Sequence, residues 1–404
     1  MSSIASTGER VDTHTRSRHR HYTDMHVLIA ALSRFDSPTG ICRHAANLAA
    51  SLANRSEVEQ ITFVTGAWQG YYRDLLGAGH AKIRPVAIEL KNSSASRNRW
   101  FLLGLPSLAK SIQADIVHLS FPLPINKSRS VYKTVVTLHD LYPYDCPEVF
   151  GYPNVYFNRL FLRNCLKNAD GIACVSNSTH SRLRALFSKS ELDKSRVIPN
   201  IVRQDVYGST RPMGWPDSPF VLVVAQHRPN KNVELAAKGF AELRARGIVP
   251  RETRLVIVGT TGPSTESIEH EITRLGIERE SVFLSAIPES KLQWLYANCS
   301  LFLVTSTVEG FCLPLVEALR RSARVVCSDI PSLREVGGDS CEYFALNEFP
   351  SQSLVEAASR ALVSRHENSS DLERFSSDKV GAAYVRFYRD LATGDRMPEV
   401  ALSV

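Results

Sequence analysis

The stretch MHVLIAALSRFDSPTGICRHAANLAASLA, residues 25–53, decides the fold. Its first part, 25–33, is a short apolar run bounded by turn residues, the mark of a strand buried on both faces. Gly40 then opens a segment whose apolar residues recur at helical spacing up to Ala53. Strand, glycine turn and helix together make the first unit of a doubly wound parallel sheet. The unit repeats: ITFVTG (61–66), DIVHLS (115–120), KTVVTLHD (133–140) and GIACVS (171–176) read as further buried strands, which places one domain at 25–205. The stretch VIPNIVRQDVYGSTRPMGWPDSP (197–219) has four prolines, two glycines and no sustained periodicity, so a linker is expected at 206–218. The pattern then restarts with PFVLVVAQ (219–226), RLVIVGT (254–260), SVFLSAI (281–287), SLFLVTS (300–306) and ARVVCSD (323–329), which predicts a second domain over 219–375. An amphipathic helix lies within 376–395; whether it returns to the first domain is open. The fold class is α/β: two Rossmann-like, doubly wound parallel-sheet domains facing a cleft, where open α/β sheets bind ligands.

Length and composition agree with this reading. A chain of 404 residues holds two or three domains, and 44% hydrophobic with 22% charged residues excludes disordered and fibrous classes. Lys and Arg number 48 against 41 Asp and Glu, a net +7 that suits either an acidic partner or simply a mildly basic surface. Eight cysteines at irregular spacing, without a CxxC pair, fit free thiols in a reducing compartment, so a cytoplasmic protein is expected. Residues 1–24 lack an apolar stretch and carry Arg16, Arg18 and Arg20, which reads as a basic disordered tail and not as a signal peptide.

The chemistry concentrates in Glu309-Gly-Phe-Cys-Leu-Pro-Leu-Val-Glu317. Pro314 suits the first turn of a helix, so Gly310, Phe311 and Cys312 would present free backbone N–H groups at its start, where a phosphate is favoured. Glu309 and Glu317 could hold hydroxyls of two parts of an extended ligand; spacing alone equally allows a capping Glu309 and a surface Glu317.

The motif resembles the E-x7-E signature of retaining GT-B glycosyltransferases, in particular family 4 (glycosyl transferases group 1), whose usual form is EGFGLPxLE. PFVLVVAQHRPNKN is similar to that family's donor-phosphate loop and TLHDLYP to its TxHDxxP segment, while ADIVHLS, VIPN and SDIPSLREVGGD fall in the family's order. The resemblance spans about residues 25–395. It implies transfer of a hexose-like sugar, whether mannose, glucose or an N-acetylhexosamine, from a nucleoside diphosphate sugar. Glu309 would contact the transferred sugar and Glu317 the ribose, with Gly310, Phe311, Cys312 and Leu313 beside the donor and the backbone near Ile287 reading the base. Cys312 stands where the family usually has glycine. Lys231 matches the family's lysine, whereas Arg228 is displaced from the usual arginine position; both would stabilise the departing diphosphate. His139 would contact the donor sugar, with Asp140 either orienting it or capping the next turn. Gly40 matches the glycine loop after the first strand.

No D-x-D pair occurs, so neutralisation falls to Lys231, Arg228 and the helix N-terminus, and metal-independent chemistry with no cofactor besides the donor substrate is expected. On the acceptor side, RNRWFLLGLPSLAK (97–110) fits either a buried helix or a segment lying on an anionic membrane, and YPYDCPEVFGYPNVYF (142–157) either an acceptor groove or a packed loop. The partners expected are a nucleotide sugar and a carbohydrate or lipid-linked acceptor in surface polysaccharide synthesis, with peripheral contact at the inner membrane face open and no nucleic acid. The alternatives are a silent nucleotide-sugar-binding scaffold and a GT-B-fold epimerase or hydrolase.

Overall fold

The apolar runs form two all-parallel sheets in a computed structural model, which describes residues 24–394 apart from 78, 128–130, 150, 204–207 and 364–369. The expected basic tail lies almost wholly outside the described residues, as does the start of the expected linker. The first sheet contains β1 (Met25–Ala30), β2 (Val58–Gly66), β3 (Ile83–Ile88), β4 (Ile116–Leu119), β5 (Lys133–Leu138), β6 (Gly171–Cys174) and β7 (Ser195–Val197), in the order β3-β2-β1-β4-β5-β6-β7. The second contains β8 (Phe220–Val224), β9 (Arg254–Val258), β10 (Ser281–Leu284), β11 (Leu301–Val304), β12 (Val325–Ser328) and β13 (Glu342–Phe344), in the order β10-β9-β8-β11-β12-β13.

Parallel pairing forces each connection over a face of the sheet, so both faces are covered by helices and the central strands are apolar on both sides. Val27 of β1 thus sits between Ile61 of β2 and Ile116 of β4, all fully buried. In each sheet the chain first winds outward and then returns past its starting strand. The order therefore reverses between β1 and β4, and again between β8 and β11. Those reversals leave crevices at the carboxyl ends of the strands.

Three strands, β3, β7 and β13, lay beyond the sequence reading. β3 is an edge strand containing Pro85, with only its partial alternation facing the sheet, and the other two have three residues each. Such short or half-exposed edges carry little hydrophobic signal.

The C-terminal helix Ser377–Thr393 leaves the second sheet and packs on the first. Val380, Tyr384, Val385, Phe387 and Tyr388 join the same buried cluster as Leu48, Val58 and Phe63. Residues 97–110 are helical and partly buried: Phe101 and Leu105 lie in the core while Leu102 and Leu103 are exposed. Within 142–157 the described residues form two short helical turns, Tyr142–Asp145 and Pro147–Val149, and the start of a helix, Asn154–Asn168. Among the described residues no helix is long and apolar enough to cross a membrane.

Candidate active site

Loops from both crevices meet at Gly310. A β-carbon there would lie 1.6 Å from the carbonyl oxygen of His139, so only glycine lets the two backbones approach this closely. Ser176 Oγ donates to the Gly310 carbonyl at 2.6 Å. Beside this contact, the Glu335 carboxylate of the second domain accepts from the backbone N–H groups of Asn177 at 2.7 Å and Ser178 at 3.0 Å. Those donors open the helix Asn177–Leu186, where a negative charge is stabilising.

Glu309 stands in the loop after β11 with only 6% of its side chain exposed. Oε1 takes Lys231 Nζ at 2.5 Å and Ser306 Oγ at 2.8 Å; Oε2 takes the Tyr142 hydroxyl of the first domain at 3.3 Å. Lys231 ends a short 3-10 turn, Pro229–Lys231, and Asn232 after it adopts a left-handed φ of 48°. This turn is tied to the Glu309 loop by Thr307 N–H donating to the Asn230 carbonyl at 2.9 Å. Burial opposes the charge on Lys231, but the Glu309 carboxylate outweighs it and holds the ammonium above its usual range. Arg228 makes no side-chain hydrogen bond or ion pair among the described residues, although its charge bears on both Lys231 and Asp140.

His139 follows β5 and is pushed down to about 4 by burial, with the Ser120 carbonyl partly opposing. Its Nε2 lies 2.9 Å from that carbonyl, which can only accept, so the neutral ring carries its proton on Nε2 and leaves Nδ1 as an acceptor. Asp140 accepts from the Tyr142 N–H at 3.0 Å at the start of the following turn, the capping contact of the two roles open in the sequence. Burial raises its carboxyl to about 6.

The helix Leu313–Arg320 begins, as Pro314 indicates, directly after this junction. Cys312 precedes it in the left-handed region, with φ 73°. The glycine usual in the family is thus explained here by backbone conformation. The Phe311 ring lies in the core, edge-on to Phe375 at 5.2 Å, so its side chain is structural and only its backbone borders the junction. Leu313 touches the position of Gly40, whose added β-carbon would meet Leu313 Cδ1 at 3.8 Å. Ile287 packs on the core of the second domain, next to Ala286 at φ 51°.

Glu317 is not a surface residue. Its carboxylate accepts from the buried Tyr296 hydroxyl at 3.0 Å. Burial raises its pKa, Arg43 opposes this and Glu289 adds to it. Arg43, from the helix Gly40–Ala53, reaches across to Glu289 at 2.5 Å. The sequence reading missed Arg43 because a cation one turn into a helix looks like any solvated surface charge; its place three residues after Gly40 was the available signal. The two glutamates of the motif open into different cavities. Glu317 lines one of about 260 Å³ with Arg43, Asn47, Glu289 and Gln293. Glu309 lines one of about 390 Å³ with Asp140, Tyr144, Asp145 and Arg182. Among the described residues no group of three or more His, Cys, Asp or Glu could hold a metal ion.

Residues 212–376 match the family Glycosyl transferases group 1, and residues 38–206 match Glycosyltransferase Family 4. The O-antigen chain mannosyltransferase B of Escherichia coli is 26% identical over 332 residues, 75% of this chain and 82% of the relative. The O-antigen chain mannosyltransferase RfbU of Salmonella typhimurium strain LT2 is 24% identical over 320 residues, 76% of this chain and 84% of the relative. Among solved structures, sucrose-phosphate synthase from Thermosynechococcus elongatus superposes with a TM-score of 0.72 at 17% identity, covering 92% of this chain and 100% of that one.

Proposed function

The chain is a GT-B glycosyltransferase, and from that premise we propose that it moves a hexose, mannose first among the candidates, from a nucleoside diphosphate sugar to a carbohydrate or lipid-linked acceptor with retention at the anomeric carbon. The observation that carries the reading is the junction at Gly310, where the His139 backbone of one domain meets the loop of the other that holds the Glu309–Lys231 ion pair. The mannosyl assignment is suggested by the two O-antigen relatives.

The chemistry follows from charge. Breaking a sugar–phosphate bond leaves negative charge on the departing diphosphate, and fixed cations in a closed cleft stabilise it as it develops. Lys231 supplies that charge by exchanging its partner, from Glu309 to the diphosphate, and Arg228 adds to it. The exchange frees Glu309 to accept from sugar hydroxyls through short charge-assisted bonds. Glu317 takes the ribose hydroxyls in the smaller cavity beside Arg43. A histidine held at about 4 is a poor base at neutral pH, which favours His139 as a sugar contact and leaves deprotonation of the acceptor to the leaving phosphate.

A thermal-shift panel of UDP, GDP, ADP and their sugars in EDTA tests this reading, repeated on Glu317→Ala and Lys231→Ala. A ligand at a hundred times its dissociation constant adds about 2.7 kcal/mol. One nucleotide family should raise the melting temperature in the wild type and in neither variant. No response to any nucleotide overturns the donor site, and donor turnover without acceptor favours a hydrolase or epimerase.

A further inference from the structure

The helix Asn154–Asn168 is apolar on the wrong side. Val155, Leu162, Cys165 and Leu166 face the core, as expected of a helix covering a sheet. Tyr156, Phe157, Leu160 and Phe161 recur at i, i+1, i+4 and i+5 on the opposite, outer face, exposed by 60%, 58%, 64% and 41%. Tyr152, just before the helix, is 70% exposed and its ring lies 5.5 Å from that of Tyr156. A contiguous outward apolar stripe of this kind marks an interaction surface. Its charge indicates the partner: Arg159, Arg163 and Lys167 run along one flank of the stripe, and no acidic residue occurs between Asn154 and Asn168. Aromatic and aliphatic residues on one face with cations beside them suit the boundary of an anionic bilayer.

The surface is continuous with the larger cavity. The Arg159 and Arg163 guanidinium groups lie over the Tyr144 ring at 4.9 and 6.0 Å, and Tyr144 lines the pocket that contains Glu309. The helices at 94–111 and 154–168 contribute to one buried cluster on the same face of the first sheet, and Leu102 and Leu103 of the former are exposed as well. We propose that this outer face of Asn154–Asn168 docks the protein on an anionic lipid bilayer and turns the Glu309 pocket toward an acceptor held in that bilayer. The second half of that statement rests on the transferase reading; the docking does not.

Sedimentation with vesicles of phosphatidylcholine alone and of phosphatidylcholine with phosphatidylglycerol tests it. The wild type should bind the anionic vesicles, and Phe157→Ser/Leu160→Ser should bind them at least about tenfold more weakly. Arg163→Glu/Lys167→Glu should lose the preference for anionic lipid. Neither pair lies in the donor site, so both variants should keep the wild-type thermal shift with nucleotide, which also shows that they fold. Wild type that binds neither vesicle, or Ser variants that bind as well as wild type, overturns the proposal. A concentration-dependent dimer lost in the Ser variants, without vesicle binding, overturns it in favour of a second copy on this face. Vesicle binding without any nucleotide response overturns the transferase reading and leaves the docking standing.

Discussion

Replacing Gly310 by alanine adds a single methyl group where the two domains touch. The backbone of Gly310 lies outside the left-handed region, so alanine meets no conformational penalty there and the whole effect is steric. The new carbon would sit 1.6 Å from the His139 carbonyl oxygen and 2.8 Å from its carbon. An ordinary carbon–oxygen contact is about 3.3–3.6 Å. One backbone must therefore retreat by about 1.5–2 Å, and neither is the far end of a flexible side chain. The retreat breaks the 2.6 Å bond from Ser176 to the Gly310 carbonyl and draws the backbone at His139 away from the loop that carries Glu309. Misplacement by about 1 Å at a reacting centre can cost on the order of 100-fold in rate, roughly 2.7 kcal/mol. Because the clash separates the domains without touching either core, kcat/KM should fall by about 100-fold or more while far-ultraviolet circular dichroism stays unchanged. Steady-state transfer from the donor identified by thermal shift is the assay. Wild-type kcat/KM in Gly310→Ala would refute the close approach of the two domains and with it the assignment of His139 to the donor site.

Cys312→Gly should stabilise the fold by about 1 kcal/mol in urea unfolding, since φ 73° strains any residue with a β-carbon, and Cys312→Val should destabilise it. Removing Lys231 leaves the Glu309 carboxylate 94% covered without its cation, so Lys231→Met should cost about 3–5 kcal/mol of stability, and Lys231→Met/Glu309→Gln should recover part of it. His118 is held at about 3 by burial, between Tyr388 and Thr137. A base with a lowered pKa leaves the native state short of protons relative to the unfolded chain, so its contribution is complete above pH 6.5 and is lost as pH falls toward 3. The stability gap between wild type and His118→Gln should then narrow with acidification by up to about 1.4 kcal/mol per pH unit below 6.5, and a constant gap would contradict a neutral buried imidazole. Arg43→Met should weaken nucleotide binding by about tenfold or more, read as a smaller thermal shift, if the cavity it shares with Glu317 holds the nucleoside.

The sequence by itself determined the two doubly wound sheets, because a parallel strand buried on both faces must be an unbroken apolar run, and β1 and β8 read as such without any tertiary information. It also determined the helix start at Pro314, a local pattern, whereas the ion pair between Lys231 and Glu309, 78 positions apart, came only with the tertiary structure. The edge strands β3 and β13 were hidden because an edge buries only part of each residue. What the tertiary structure alone decided is which local features meet. Gly310 in a sequence is one glycine among 21; only the approach of His139, 171 positions earlier, makes it irreplaceable. Arg43 became a site residue when its helix was set against Glu289 and Glu317, and the outer face of Asn154–Asn168 was visible only once the inner one was known. Periodicity records how a segment lies against its own sheet. The contacts between domains depend on where two strand orders reverse and face each other, and no single segment carries that.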